Sequence, residues 1–360
     1  MKTNKFIPIC LLLICMTSCN TYHKISTRIN RDGTMEREIS TLGDSAFMAD
    51  YSNKSPFLFQ LDDTWKITPY DSTVSVDFLD DKMKFNVKAA RKFSSLEAFR
   101  EEVRPKENLD RLILPREELK KNFRWFYTYY TYQAVYPTIA DRLPIPLSSY
   151  LTDKEQHILF QSDMTVFEGR NGYEMYSTLD GLSIKFEKWL QHCQYEIACT
   201  ALMDELKRNG ENTYHARLAS ARDSIFNSMD SKIKDDITND GVIYSVFDKY
   251  FKTTFFSDFQ SKNKERISEI AEQKSKLLAL FEHNLCFSLE MPGKVINANT
   301  ELRDNNAVVW KVDAYRFLAH DYMLQAQSRT CNVWAFLVTG LIILLAVYCF
   351  GRLSFLRKRE

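Results

Sequence analysis

The chain of 360 residues carries 48 basic against 47 acidic side chains, so it has no net field with which to steer a nucleic acid or an acidic polymer. Its 25 Phe, 18 Tyr and 5 Trp stand against only 10 Gly and 9 Pro, which argues for a packed fold and against a disordered stalk.

Residues 1–18 predict a secretory signal peptide. Lys2 and Lys5 supply the positive start, and Phe6 to Met16 supply an apolar core too short to span a bilayer comfortably. Met16-Thr17-Ser18-Cys19 resembles a bacterial lipobox, in which small residues precede a cysteine that is acylated and becomes the mature N-terminus. Cys19 is therefore the expected lipidation site, the alternative being an uncleaved signal anchor.

Residues 20–92 read as β-rich. Ile25, Thr27 and Ile29 alternate with polar residues, Asp32-Gly33 makes a turn, and Met35, Arg37 and Ile39 resume the alternation of a hairpin. Strands are expected at 64–68, at 73–79 through Val74, Val76 and Phe78, and at 82–90 through Met83, Phe85 and Val87.

Residues 93–282 read as a mainly helical insertion. Ser94 or Ser95 caps a short helix reaching Val103, with Glu97 in its first turn. The aromatic stretch 122–136 (NFRWFYTYYTYQAVY) suits a strand covered on both faces, and its segment Trp125 to Tyr132 reads as core or as a surface that stacks sugars. Four helices follow. The first carries Met175, Leu179, Leu182, Phe186, Trp189, Cys193 and Ile197, and the second Tyr214, Leu218, Ala221, Ile225 and Met229. A third runs from Ile243 through Phe247 and Phe255 to Phe259, and a fourth from Ile267 to Phe281.

Residues 283–329 return to strands at 285–290, 307–312 and 322–328. Val333 to Phe350 is an uncharged apolar run that predicts a transmembrane helix, with Trp334 and Tyr348 at its two edges. Arg352, Arg357, Lys358 and Arg359 make 351–360 a basic tail, while Arg329 is the cation nearest the other flank. The positive-inside rule then places the tail in the cytoplasm and the main domain outside. The expected fold is α+β. An antiparallel sheet is built from N- and C-terminal strands, with a helical insertion between them and one C-terminal transmembrane helix.

Leu289-Glu-Met-Pro-Gly-Lys-Val295, followed by Asn299 and by Val308-Val309-Trp310-Lys311-Val312, resembles the LppM-like domain of bacterial envelope lipoproteins. Pro292, Gly293 and Trp310 carry the motif, and the hairpin from Ile25 to Ile39 adds to it; together they cover under a quarter of the chain. The resemblance implies an α+β envelope domain with a lipid or lipoglycan ligand, and it implies no catalytic residues. The long helical insertion departs from the compact family form.

Motifs of enzymatic chemistry are not evident. His23, His157, His192, His215, His283 and His320 have no metal-ligand spacing, and there is no GxSxG or phosphate-cradling glycine loop. His192 and Cys193 are neighbours on a helix and point about 100° apart. Cys193 and Cys199 lie too far apart along one helix to bridge, whereas Cys199 with Cys286 stays open against a pair of buried thiols. No catalytic residue, metal or cofactor is expected. The leading expectation is a non-enzymatic lipoprotein of the bacterial cytoplasmic membrane. Its main domain lies in the periplasm and binds membrane lipid, a lipid-like ligand or another membrane protein, and not nucleic acid. The alternative is an envelope hydrolase or transferase.

Overall fold

The computed structural model describes residues 21–51, 54–75, 82–106, 110–160, 164–237 and 241–357. The signal segment, Cys19, Val76, Phe78, Lys358 and Arg359 lie outside the described residues. The chain divides into two compact units, one of 22–136, 284–312 and 322–360, the other of 137–283 and 313–321 together with the N-terminal segment.

The first unit is built of strands. These are β1 (Thr21–Ile29), β2 (Met35–Thr41), β3 (Lys66–Ser75), β4 (Lys82–Phe93), β5 (Arg116–Phe123), β6 (Tyr127–Tyr136), β7 (His283–Glu290), β8 (Lys294–Ala298), β9 (Arg303–Asp304), β10 (Ala307–Asp313) and β11 (Tyr322–Cys331). Short helices α1 (Ser45–Ala49), α2 (Leu96–Glu102) and α3 (Asp110–Ile113) fall between them. The β1–β2 hairpin is the one read from the alternation. Ile29 pairs with Met35, Asp32 accepts from Thr34 N at 3.0 Å, and Gly33 takes the left-handed φ of 98° that the turn needs. Ser95 caps α2 by accepting from Ala98 N, as its position before Glu97 predicts.

N-terminal and C-terminal strands do share a sheet, in the order β3-β4-β2-β1-β7-β10-β9. A second sheet, β5-β6-β11-β8, was not expected. Its inner face meets that of the first: the Phe287 ring of β7 stacks on Tyr132 of β6 at 6.1 Å between centroids. Three local readings change. Of the strands expected at 64–68 and 73–79, residues 66–68 and 73–75 are parts of one strand, β3, whose register shifts between Pro69 and Ser72 because proline has no N–H to give the ladder, and 76–79 lie outside the described residues. β5 (REELKKNF) has no apolar alternation, and so carries no strand signal of its own. The aromatic stretch is not one strand covered on both faces. It folds at 124–126, and β6 then alternates strictly, burying Thr128, Tyr130, Tyr132, Ala134 and Tyr136 while Tyr127, Tyr129 and Thr131 are half-buried. Tyrosine serves either face, since its ring packs and its hydroxyl tolerates water.

The second unit is helical: α4 (Asp153–Phe160), α5 (Gly172–Arg208), α6 (Asn212–Ser228), α7 (Ser231–Asp235), α8 (Val242–Phe251), α9 (Phe255–Lys262) and α10 (Lys264–Ser275). Helix α5 opens with a capping box, in which Asn171 accepts from Glu174 N and the Glu174 carboxylate accepts from Asn171 N. Leu202, Leu206, Leu218, Ile225, Phe247 and Phe256 form its core with the neighbouring helices. The third expected helix is two. Lys252 adopts a left-handed φ of 53°, and the Asp248 carboxylate turns forward to accept from Phe256 N (2.8 Å) and Ser257 N (2.9 Å) at the start of α9. The apolar period continues through the break, so it hides the cap.

Beyond β11 comes the last helix, α11 (Val333–Arg357), in the same unit as the sheets.

Candidate functional site

Helix α11 contains a span, Val333–Arg352, long and apolar enough to cross a membrane by length and composition. Its 20 residues rise about 30 Å, the thickness of a hydrocarbon core. The side chains along it are mostly exposed, so the folded protein leaves this surface uncovered. Trp334 and Tyr348 are exposed near its two ends, and Arg352 is its last residue. Arg357 is in its last turn.

One residue, Asn332, separates β11 from this helix, and it binds the tip of the β5–β6 hairpin. Its Nδ2 donates to the carbonyls of Arg124 (2.8 Å) and Trp125 (3.2 Å), and its backbone N–H donates to Phe126 O (2.9 Å). The Thr128 hydroxyl donates to its Oδ1 at 2.9 Å. The tip itself lies along the first turns of α11. Phe123 stacks on Trp334 (6.3 Å), Trp125 meets Trp334 edge-on (5.1 Å), and Phe126 and Tyr127 contact Phe336 (4.6 and 5.9 Å). Trp125 Nε1 donates to the Thr339 hydroxyl at 2.8 Å. Of the run Trp125 to Tyr132, then, the first two residues are neither core nor sheet. They form an exposed aromatic turn against the helix, and the exposed Trp334 and Phe336 extend the same patch.

The residues of the Pro-Gly motif hold a corner between the sheets. The chain leaves β7 for β8, from one sheet to the other, at Pro292-Gly293. Gly293 has a φ of 74°, and a Cβ there would lie 2.3 Å from the Arg329 carbonyl oxygen. Glycine is needed at this position for both conformation and space. The Ser328 hydroxyl donates to Pro292 O (2.8 Å). Trp310, nearly wholly buried, donates from Nε1 to Asn299 Oδ1 (2.9 Å), and the same amide accepts from Gln325 N (2.9 Å) and donates to Met323 O (2.6 Å). Asn299 thereby ties β10 to β11.

Sequence reasoning missed the most polar part of the core. Arg37 of β2 and Glu117 of β5 form a two-pronged ion pair between the sheets, and Tyr132 Oη donates to Glu117 Oε2 at 2.5 Å. Arg37 also lies over the Phe99 ring, 4.2 Å from its centroid. Burial by itself would lower the Arg37 pKa, but the charge and hydrogen bonds of Glu117 outweigh it and hold it raised. Burial first, and then the Glu117 charge, push the Tyr132 hydroxyl well above the usual tyrosine range. The group is closed to solvent and acts as a structural pin.

In the helical unit, His192 and Cys193 do not act together. His192 shares a hydrogen bond with Tyr150 Oη (3.0 Å) and stacks on Phe226 (4.1 Å), and burial pushes its pKa down. Burial pushes the Cys193 thiol up to about 12, so it is no nucleophile at neutral pH. Cys193, Cys199 and Cys286 are buried free thiols, and Cys331 is exposed. The His320 ring lies tilted against that of His157, 4.7 Å between centroids, while Asp321 accepts from Thr138 N. Among the described residues no group of three or more His, Cys, Asp or Glu could hold a metal ion.

No protein-family model and no curated protein matches the chain. Among solved structures, the folded domain of Mycobacterium tuberculosis LppM, determined by NMR, aligns over 88% of this chain and 93% of its own. The identity is 9% and the TM-score 0.27, a distant structural similarity.

Proposed function

We propose that the chain is an extracytoplasmic lipoprotein of the bacterial envelope, held in the cytoplasmic membrane by α11 and by a lipid on Cys19. Its role in this reading is binding, of a lipid-like ligand or a membrane-embedded partner. The observation that carries it is the exposed apolar span Val333–Arg352, joined to the folded β unit through the single clamped residue Asn332. A span of this length with its apolar side chains left uncovered is matched to a bilayer as solvent. Arg352 at the end of the span, with Arg357, Lys358 and Arg359 beyond it, favours a cytoplasmic tail. Binding is favoured over catalysis because the polar groups suited to chemistry are engaged elsewhere. Arg37 and Glu117 pair in the core, Cys193 keeps its proton, and His192 is stacked.

Alkaline carbonate extraction and proteolysis of spheroplasts test the location. The protein should stay with the membrane, and protease should remove residues up to about 330 while leaving a small C-terminal fragment inside the bilayer. Release by carbonate overturns the anchor, and protection of the large fragment overturns the orientation. Native mass spectrometry of the detergent-extracted protein tests the role: a co-purifying lipid or membrane protein supports binding, and an empty monomer that turns over envelope substrates overturns it.

A further inference from the structure

We propose that the tip of the β5–β6 hairpin is a second membrane-inserting element, whose Trp125 and Phe126 enter the headgroup–acyl boundary of the bilayer that α11 crosses. The inference rests on the reading of α11 as a membrane span and adds to it a depth, a set of residues and a lipid chemistry.

The depth follows from one hydrogen bond. Trp125 Nε1 lies 2.8 Å from the hydroxyl of Thr339, so the two share a level along the helix axis. Thr339 is six residues past Val333, where the apolar run begins, and six residues of helix rise about 9 Å. Interfacial elements bury their apolar faces about 5–10 Å into the same boundary. If α11 spans, the hairpin tip reaches that layer without any further movement of the protein.

The chemistry of the tip suits that layer. Phe123 is 60% exposed, Trp125 45% and Phe126 37%, and they form one patch with Trp334 and Phe336. In water such a patch is a liability; at a membrane interface it forms part of an aromatic belt. Trp125 and Thr339 also satisfy each other. An indole N–H and a threonine hydroxyl placed where water is scarce need a partner within the protein, and each has one. The cations are set back from the tip. Arg124 sits in the turn itself, yet its guanidinium folds back over the Tyr129 ring at 5.6 Å, and Arg329 lies over Tyr127 at 4.7 Å. This is the posture of snorkelling side chains, with the apolar body toward the acyl chains and the charge at headgroup level. Two guanidiniums at that level select anionic headgroups. The occupant is therefore a glycerophospholipid leaflet containing anionic lipid, not a soluble protein and not a second copy of the chain.

The test uses the full-length protein in phosphatidylcholine–phosphatidylglycerol vesicles whose acyl chains are brominated at a shallow or a deep position. Trp334→Phe removes the indole of the helix and keeps its ring, and Trp125→Phe added to it removes the indole of the tip. We expect lipid-dependent quenching in the Trp334→Phe protein, stronger from the shallow bromines, and its loss in the double variant. Carbonate resistance is measured on the same samples. Resistant protein without lipid quenching of Trp125 leaves the anchor standing and overturns the inserted tip. Trp125 shielded from acrylamide as well as from bromolipid points to a protein occupant and overturns it too. Protein released by carbonate removes the anchor reading itself, and the inserted tip with it.

Discussion

Arg37 and Glu117 join the two sheets of the β unit by two hydrogen bonds, Nη1 to Oε1 at 3.0 Å and Nη2 to Oε2 at 2.7 Å, with side chains only 1% and 2% exposed. A charge pair so far from water stabilises only while both members are present. Arg37→Met or Glu117→Gln alone should each destabilise the unit by about 3–5 kcal/mol, because the remaining group keeps its desolvation cost. Arg37→Met with Glu117→Leu should recover much of that loss. Denaturation midpoints of the detergent-solubilised variants measure this, and a double variant as unstable as the two single changes added together would contradict it.

Gly293 and Gly33 both have positive φ, but only Gly293 is crowded. A Cβ at Gly293 meets the Arg329 carbonyl oxygen at 2.3 Å and Thr330 Cγ2 at 2.8 Å, whereas nothing lies within 4 Å of one at Gly33. Gly33→Ala should cost about 1–2 kcal/mol, the strain of a left-handed alanine. Gly293→Ala should cost clearly more, because the β11 backbone must also move. Thermal melting of the pair separates conformational strain from steric exclusion.

The side chain of Asn332 holds the hairpin tip through Arg124 O, Trp125 O and Thr128 Oγ1. Asn332→Ala removes these bonds but leaves the backbone bond to Phe126 O. Hydrogen exchange should therefore quicken at residues 124–128 and at the first turn of α11, with the core strands β1, β2 and β7 unchanged. Unchanged exchange at the tip would show that the aromatic contacts hold it by themselves.

Thiol labelling reads the burial of the cysteines. In the native protein a maleimide should modify Cys331 and spare Cys193, Cys199 and Cys286, because burial raises the pKa of the three buried thiols. In denaturant all four should react. Rapid native labelling of Cys193 would contradict its enclosure.

His192 makes the helical unit sensitive to mild acid. Burial is the main cause of its lowered pKa, opposed by Asp223 and assisted by Arg222 and Lys234. The unfolded chain therefore binds a proton more readily than the folded one. This contribution to stability is fully present above the ordinary value of about 6.5, and it is lost as pH falls below that toward the folded value. Denaturation followed between neutral pH and pH 5 should show falling stability, and His192→Gln should flatten that slope. A slope identical in the variant would assign it to other groups.

Much of the architecture is written in local pattern. Period-two alternation around Asp32-Gly33 marks the first hairpin, Ser95 before Glu97 marks a cap, and apolar steps of three and four mark α5 and α6. These signals act between near neighbours, and they need no knowledge of the rest of the fold. The apolar helix at 333–350 could be read in advance for the same reason, since an uncharged run lies within one segment.

Other features were hidden because inward alternation looks the same whichever sheet a strand joins. The alternation of β6 and β11 does not say which strands they pair with, and the polar strand β5 takes its place by pairing with β6. The break between α8 and α9 depends on where one carboxylate turns, not on the apolar period around it.

The amino-acid sequence by itself determined the mixture of strands and helices, the hairpin turn, the Ser95 cap and the exposed apolar end. Each of these follows from residue type and spacing over a few turns of chain. Only the tertiary structure decided that Arg37 would meet Glu117 across 80 residues and that Trp125 would meet Thr339 across 214. Those partners are chosen by burial, when two surfaces close and each buried polar group must find whichever complementary group has arrived beside it.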